Sequence, residues 1–132
     1  IILLKPSTFM NLSGNALKYW LIKEKIQLNN CLVVTDDINL PIGTVRMKKK
    51  GSDGGHNGLK DIQLVLNSNK YGRLRFGVGS EFNPGSQVNY VLGEWSEEEQ
   101  KGLKERTETI GNAIKSFATI GLDKTMNEFN NK

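Results

Sequence analysis

Residue types that could take part in catalysis or ligand binding occur in "GSDGGHNG", residues 51 to 58, which contains the only histidine of the 132-residue chain. An imidazole such as His56 can act as a general base or as a metal ligand. Glycines that precede a helix can also expose backbone amides to an anion. The structural alternative is a tight turn whose glycines adopt positive φ, with His56 as a solvated loop residue.

A pair of carboxylates, Asp36 and Asp37, follows the apolar run "CLVVT". A carboxylate at the end of a strand can orient a histidine, hold a metal, or cap a turn through Asx geometry. Asp36, Asp53 and His56 could in principle bind a hard metal, but their spacing matches no known ligand pattern. The chain also lacks a P-loop, a dinucleotide fingerprint and a serine-nucleophile elbow.

Met10 and Asn11 in "PSTFMN" form a third group of candidates. Asn11 precedes a predicted helix, where asparagine is a common N-cap. Its amide could instead bind both donor and acceptor groups of a peptide-like ligand. Met10 could lie in the core or line an apolar pocket.

Positive charge is concentrated between residues 44 and 75, which carry eight basic and two acidic side chains, a local balance of +6, while the rest of the chain sums to −2. "TVRMK" and "YGRLRFGVG" alternate like strands, which predicts that Arg46 and Lys48 share one strand face and that Arg73 and Arg75 share another. We therefore expect an anionic partner, with phosphate as the first candidate. A solvated lysine run is the alternative.

The apolar patterns predict an α/β fold. "IILLK" at residues 1 to 5 and "CLVVT" at 31 to 35 are expected to be parallel strands joined by a helix over 12 to 26, with a right-handed crossover. Ligands bind beyond the carboxyl ends of such strands, which would bring the loops "PSTFMN" and "DDINLP" to one site.

The second half of the chain is predicted to hold a helix over 57 to 67 and two C-terminal helices. The first of the two C-terminal helices begins at the capping box of Ser96 and Glu99 and ends at Gly121. Its buried face would carry Leu103, Ile110, Ile114 and Phe117, and the last helix would turn Leu122, Met126 and Phe129 inward. The whole chain, residues 1 to 132, is expected to form a single domain with a mixed, twisted sheet flanked by helices.

Composition narrows the class of protein. The single cysteine, Cys31, excludes an internal disulfide, and no apolar run is long enough to span a bilayer. We expect a soluble protein of the reducing cytoplasm. The chain starts with Ile1 inside a strand-like run, which predicts that it is an N-terminally truncated fragment.

Four stretches give the chain a family resemblance: "KPSTFMNLSG" at 5 to 14, "DDINLPIGTVRMKKKGSDGGHNGLKDI" at 36 to 62, "YGRLRFGVG" at 71 to 79, and "VNYVLG" at 88 to 93. Together they resemble bacterial-type peptidyl-tRNA hydrolase. The resemblance implies a monomeric α/β domain of the phosphorylase/hydrolase-like type that hydrolyses the ester between peptide and tRNA. It implies peptidyl-tRNA as the partner, and neither a cofactor nor a metal nor a membrane.

The resemblance also implies roles for individual residues. Asn11 and Asn57 are similar to the amides that hold the peptide and ester near the attacking water, and Met10 to a residue that lines the site. Asp36 is similar to the carboxylate that orients the catalytic histidine. His56 is similar to a second histidine at the border of the cleft.

Arg46, Lys48 and Arg75 match basic positions that the family uses for tRNA phosphates. The family's principal histidine lies in an N-terminal segment that precedes the first residue here, so we expect the full-length parent to be an enzyme and these 132 residues alone to be inactive. The alternatives are a catalytically silent RNA-binding module of the same fold and a metal-dependent hydrolase built on the aspartates.

Overall fold

A computed structural model describes residues 1–79 and 97–130. The chain divides into two compact units. The first unit comprises Ile1–Val33 and Lys48–Arg73, and the second comprises Val34–Met47 and Leu74–Lys132. In the described part of the chain, none of the helices has the length and apolar character needed to cross a membrane.

The predicted N-terminal strand does not form. Residues 1–7 adopt neither helix nor strand, and Ile1, Ile2 and Leu3 are exposed. The predicted parallel pair with "CLVVT" is therefore wrong. An apolar run becomes a strand only where a neighbouring backbone accepts and donates its ladder hydrogen bonds, and no described strand pairs with these residues.

The first unit is built on two helices, α1 (Ser13–Lys23) and α2 (Asn57–Leu66). Two short 3-10 turns, Met10–Leu12 and Leu28–Asn30, flank α1. Helix α1 ends three residues before the predicted boundary, and α2 ends at Asn67 in the left-handed conformation (φ 50°, ψ 42°) that asparagine tolerates. The hydrophobic core consists of Leu59, Ile62 and Tyr71, against which Leu17, Leu28, Val33 and Leu66 pack.

Three strands form one sheet: β1 (Leu32–Asp37), β2 (Val45–Lys48) and β3 (Gly72–Gly77), in the order β1-β3-β2. The alternation seen in the sequence is confirmed on the apolar side, where Val45 and Met47 of β2 and Leu74 and Phe76 of β3 are buried. The predicted α/β fold with a mixed sheet is confirmed.

Two consecutive helices, α3 (Glu97–Ile120) and α4 (Leu122–Phe129), lie in the second unit. They meet at Gly121, whose φ of 86° ends α3 where the sequence predicted. The predicted inward residues Ile110, Ile114, Phe117, Leu122, Met126 and Phe129 are all half-buried. Ser96, the side chains of Glu99 and Leu103, and the motif "VNYVLG" lie outside the described residues.

Helix α4 is followed by Asn130, which pairs with the backbone of β2. The Asn130 side-chain amide donates to the Met47 carbonyl oxygen at 2.9 Å, and its oxygen accepts from the Met47 N–H at 2.7 Å. An amide side chain thus takes the place of a neighbouring strand at Met47. This contact fixes β2, the strand that carries Arg46 and Lys48.

Candidate functional site

Helices α1 and α2 touch at Gly14 and Asp61. The Gly14 N–H donates to Asp61 Oδ2 at 2.7 Å, and a Cβ added at Gly14 would overlap the Asp61 carbonyl group and lie 2.9 Å from Oδ2. The Asp61 carboxylate therefore satisfies a first-turn amide of α1, where negative charge is favourable. The N-cap position is held by Leu12, without a side-chain bond, so the N-cap interpretation of Asn11 is wrong.

The turn before α1 lies against the start of α2. A Cβ built on Gly58 would come within 2.8 Å of Met10 Sδ and 3.0 Å of the His56 ring. The Ser13 hydroxyl donates to the Met10 carbonyl oxygen at 2.7 Å and holds the turn closed. Met10 Sδ and the His56 ring therefore both lie against Gly58, and their chain neighbours Asn11 and Asn57 are exposed.

His56 is the N-cap of α2. Its Nδ1 accepts hydrogen bonds from the Gly58 N–H at 3.1 Å and the Leu59 N–H at 3.3 Å. Because Nδ1 accepts, these contacts assign the proton of the neutral ring to Nε2. The ring is half-buried and bound to the helix, so the interpretation of His56 as a solvated loop residue is wrong. In this tautomer Nε2 is a hydrogen-bond donor.

The glycine loop before His56, residues 51 to 55, contains a tight turn. Gly54 and Gly55 adopt positive φ of 60° and 86°, as one of the two interpretations predicted. Asp53 Oδ1 accepts from the Gly55 N–H at 2.8 Å, and the Asp53 carbonyl oxygen accepts from the His56 N–H at 3.0 Å. The amides of Gly55, His56, Gly58 and Leu59 are thus bonded within the chain, which argues against a cradle of backbone amides for an anion at this turn.

Arg73 departs from the prediction that it shares an exposed basic face with Arg75. Its side chain is fully buried (0% exposed), and its guanidinium carbon lies 4.1 Å from the centre of the Tyr71 ring. Burial raises the pKa of the Tyr71 hydroxyl above its usual value of 10, while the neighbouring Arg73 charge opposes that rise. Arg73 is therefore part of the interior of the first unit.

The second unit holds Asp36, Asp37, Arg46 and Arg75. Asp37 Oδ1 accepts from the Asn39 N–H at 2.8 Å in an Asx turn, and Oδ2 lies 3.5 Å from a terminal nitrogen of Arg75. The Asx interpretation of this carboxylate pair therefore holds for Asp37. Asp36 is half-buried at the end of β1, and Arg46 donates to the carbonyl oxygen of its own neighbour Val45 at 2.8 Å.

Lys48 belongs to the first unit and is half-buried beside the glycine loop. A Cβ built on Gly51 would lie 3.0 Å from Lys48 Nζ, so the ammonium group lies directly over that glycine. The predicted site residues are thus divided between the units. Met10, Asn11, Lys48, His56 and Asn57 belong to the first, whereas Asp36, Arg46 and Arg75 belong to the second.

Metal binding and thiol chemistry receive no support from the donor side chains. Within residues 1–79 and 97–130, no three His, Cys, Asp or Glu side chains lie close enough to hold one ion. Burial raises the pKa of the Cys31 thiol. A thiol that stays protonated is a poor nucleophile.

Sequence reasoning missed two anchoring residues, Asp61 and Arg73. The signal for Asp61 was Gly14 in the first turn of a helix, because a glycine there indicates that another backbone approaches closely. For Arg73 no local signal was available, since its alternation is the same as that of Arg75.

Comparison with known proteins finds similar sequences over the whole chain. The family model described as peptidyl-tRNA hydrolase matches residues 1–132. A peptidyl-tRNA hydrolase of Bacteroides fragilis is 56% identical over 132 residues, and one of Parabacteroides distasonis is 55% identical; the match covers the whole of this chain and 71% of each relative. The crystal structure of peptidyl-tRNA hydrolase from Acinetobacter baumannii superposes with a TM-score of 0.86 at 28% identity, covering 95% of this chain. The chain spans 63% of the length of that solved chain.

Proposed function

Since the chain belongs to the peptidyl-tRNA hydrolase family, we propose that its natural polypeptide hydrolyses the ester bond between a peptide and tRNA. The observation that carries this proposal is the contact between two motifs distant in sequence, in which Met10 meets Gly58 and His56. Asn11 and Asn57, the chain neighbours of Met10 and His56, both belong to the first unit and are exposed, which supports a role in binding substrate.

Ester hydrolysis requires a placed substrate, an activated water molecule and donors for the developing oxyanion. The amides of Asn11 and Asn57 each offer donors and an acceptor, which suits a peptide backbone and its ester. Met10 adds an apolar contact beside them. His56 borders this group with an Nε2–H donor.

The base that activates water is assigned to a histidine outside this chain, as the family resemblance implies. Asp36, at the carboxyl end of β1, is proposed to orient that imidazole. His56 is a poor candidate for the base because its Nδ1 already accepts two helix amides.

The tRNA part of the substrate is proposed to bind at Arg46, Lys48 and Arg75. The region from residue 44 to 75 carries a net charge of +6, and positive charge of this kind attracts phosphate at a distance. The pairing with Asp37 holds the Arg75 guanidinium at its strand. We further propose that the protein acts as a monomer in the cytoplasm without a metal.

The test is cleavage of an N-acetylated aminoacyl-tRNA by the natural full-length polypeptide and its Asn57→Ala variant. We expect the substitution to lower kcat/KM by about 100-fold, the scale of losing one donor at a reacting ester. The melting temperature should be unchanged because Asn57 is exposed. Asn112→Ala, at an exposed position of α3, is the matched control and should retain full activity.

Binding of tRNA without cleavage by the full-length polypeptide would contradict the proposal and favour the silent RNA-binding module. Residues 1–132 alone are expected to cleave nothing. If that fragment were active, His56 would have to serve as the base.

A further inference from the structure

We propose that Arg73 is a positioning residue that holds the glycine loop, residues 51 to 55, in the shape that presents His56 and Asn57. Its effect on hydrolysis rests on the proposed function, whereas its effect on the loop does not. The side chain touches no proposed substrate position, since it is fully buried.

The first observation is what Arg73 binds. One terminal nitrogen donates to the carbonyl oxygens of Gly51 and Ser52, each at 3.2 Å. The other donates to the carbonyl oxygen of Asn69 at 2.8 Å. A single planar guanidinium therefore joins the start of the glycine loop to the segment that follows α2.

The second observation is that other bonds converge on the same points. The Gly51 N–H donates to the Asn69 carbonyl oxygen at 3.3 Å, and Gln63 Nε2 donates to the Gly51 carbonyl oxygen at 3.2 Å. The two ends of the segment from Gly51 to Asn69 are thus tied to each other and to α2. Of the two side chains in this set, Arg73 and Gln63, Arg73 is the one that contacts both ends.

A buried cation is costly to desolvate, and apolar side chains would fill the same space at a lower cost in free energy. The buried guanidinium is explained if it fixes the positions of backbone groups. Its five donors form a rigid fork, which can hold carbonyl oxygens of two segments at defined positions. Gly51, Gly54 and Gly55 have few steric restraints of their own, so the loop needs this external anchor.

The substitution Arg73→Met in the full-length polypeptide tests the inference, because methionine is flexible and fills a buried space without donors. We expect amide hydrogen exchange at Gly51, Gly55 and His56 to rise at least about tenfold, while the Ile62 amide in α2 keeps its protection. In the same variant kcat should fall on the order of tenfold or more, because a small displacement of a site residue is enough for such a loss. The KM and the salt dependence of tRNA binding should be unchanged.

The matched control is Arg75→Met, the same substitution two residues along the same strand. Arg75 is 21% exposed and is paired with Asp37, so this change should flatten the salt dependence of tRNA binding and leave loop exchange unaltered. The inference is overturned if the two variants loosen the loop equally. It is also overturned if Arg73→Met weakens tRNA binding and leaves kcat and loop exchange unaltered.

Should Arg73→Met fail to fold, two milder variants decide the question. Arg73→Lys keeps the charge but replaces the planar fork by a single nitrogen on a shorter side chain, and Gln63→Met removes the neighbouring donor to Gly51. We expect faster exchange at Gly51 in both, and unchanged exchange in both would refute the role. The exchange measurement needs no substrate, so it separates a failure of this inference from a failure of the proposed hydrolase function.

Discussion

His56 shows how contacts determine the role of a residue. Its Nδ1 is bonded to two amides of the first turn of α2, so this nitrogen caps the helix. The same bonds bring Asn57 to the first position of the helix. A capping role and a role at the border of a site are therefore compatible, because they use different nitrogen atoms.

Two substitutions separate the two roles of His56. His56→Ala should lower the free energy of unfolding by about 1 kcal/mol through loss of the cap, and His56→Asn should restore it, since asparagine is a strong N-cap. At restored stability, His56→Asn should lower kcat/KM by about fivefold, equivalent to one hydrogen bond of about 1 kcal/mol. Denaturant titration and peptidyl-tRNA cleavage measure these effects. A loss of several hundred-fold in His56→Asn would instead identify the ring as the base, and an unchanged rate would leave it the cap alone.

At the scale of secondary structure, the site depends on how closely α1 approaches α2. Gly14 has no side chain, which allows its amide to reach the Asp61 carboxylate at 2.7 Å. Gly58 similarly leaves space for Met10 Sδ. These two close approaches hold the turn that carries Met10 against the start of α2.

Gly14→Ala should therefore be strongly destabilising. The added Cβ would overlap the Asp61 backbone, and overpacking of this kind costs about 1–3 kcal/mol even where the structure can relax. Gly111→Ala is the control, because Gly111 lies inside α3 with no described atom within 4 Å of the added Cβ. That change should stabilise the protein by about 0.5–1 kcal/mol. Equal melting temperatures for the two variants would contradict the close approach of α1 and α2.

At the scale of the whole molecule, charge is the property that bears on tRNA. The region from residue 44 to 75 is basic, but the structure removes Arg73 from the cations that could meet phosphate, because it is buried. Lys48, Arg46 and Arg75 remain at half-buried positions. Long-range attraction should persist, while direct phosphate contacts should come from fewer residues than the sequence suggests.

Lys48→Ala should weaken tRNA binding and reduce the slope of log Kd against log salt by roughly one, the value for one phosphate contact. Lys115→Ala removes the same charge from an exposed position of α3 and should leave the slope unchanged. Filter binding over a series of salt concentrations measures both. Identical slopes for the two variants would show that Lys48 contributes only net charge.

Much of the fold could be predicted from local patterns. The period of two in β2 and β3 and the glycine at residue 121 predicted these elements correctly, because each depends on interactions between near neighbours in the chain. The motifs around Asn11 and Asn57 indicated the family, which the comparisons then confirmed. The residue roles at the site stay predictions, since they rest on the resemblance.

Tertiary structure decided what local patterns leave open. Arg73 and Arg75 have the same place in the strand alternation, yet one is buried on Tyr71 and the other is partly exposed beside Asp37. "IILLK" has a strand-like composition, yet it is exposed and unpaired in the described structure. The alternation of residue types predicts which face of a strand a side chain occupies. Whether that side chain is buried or paired depends on which other part of the chain packs against that face.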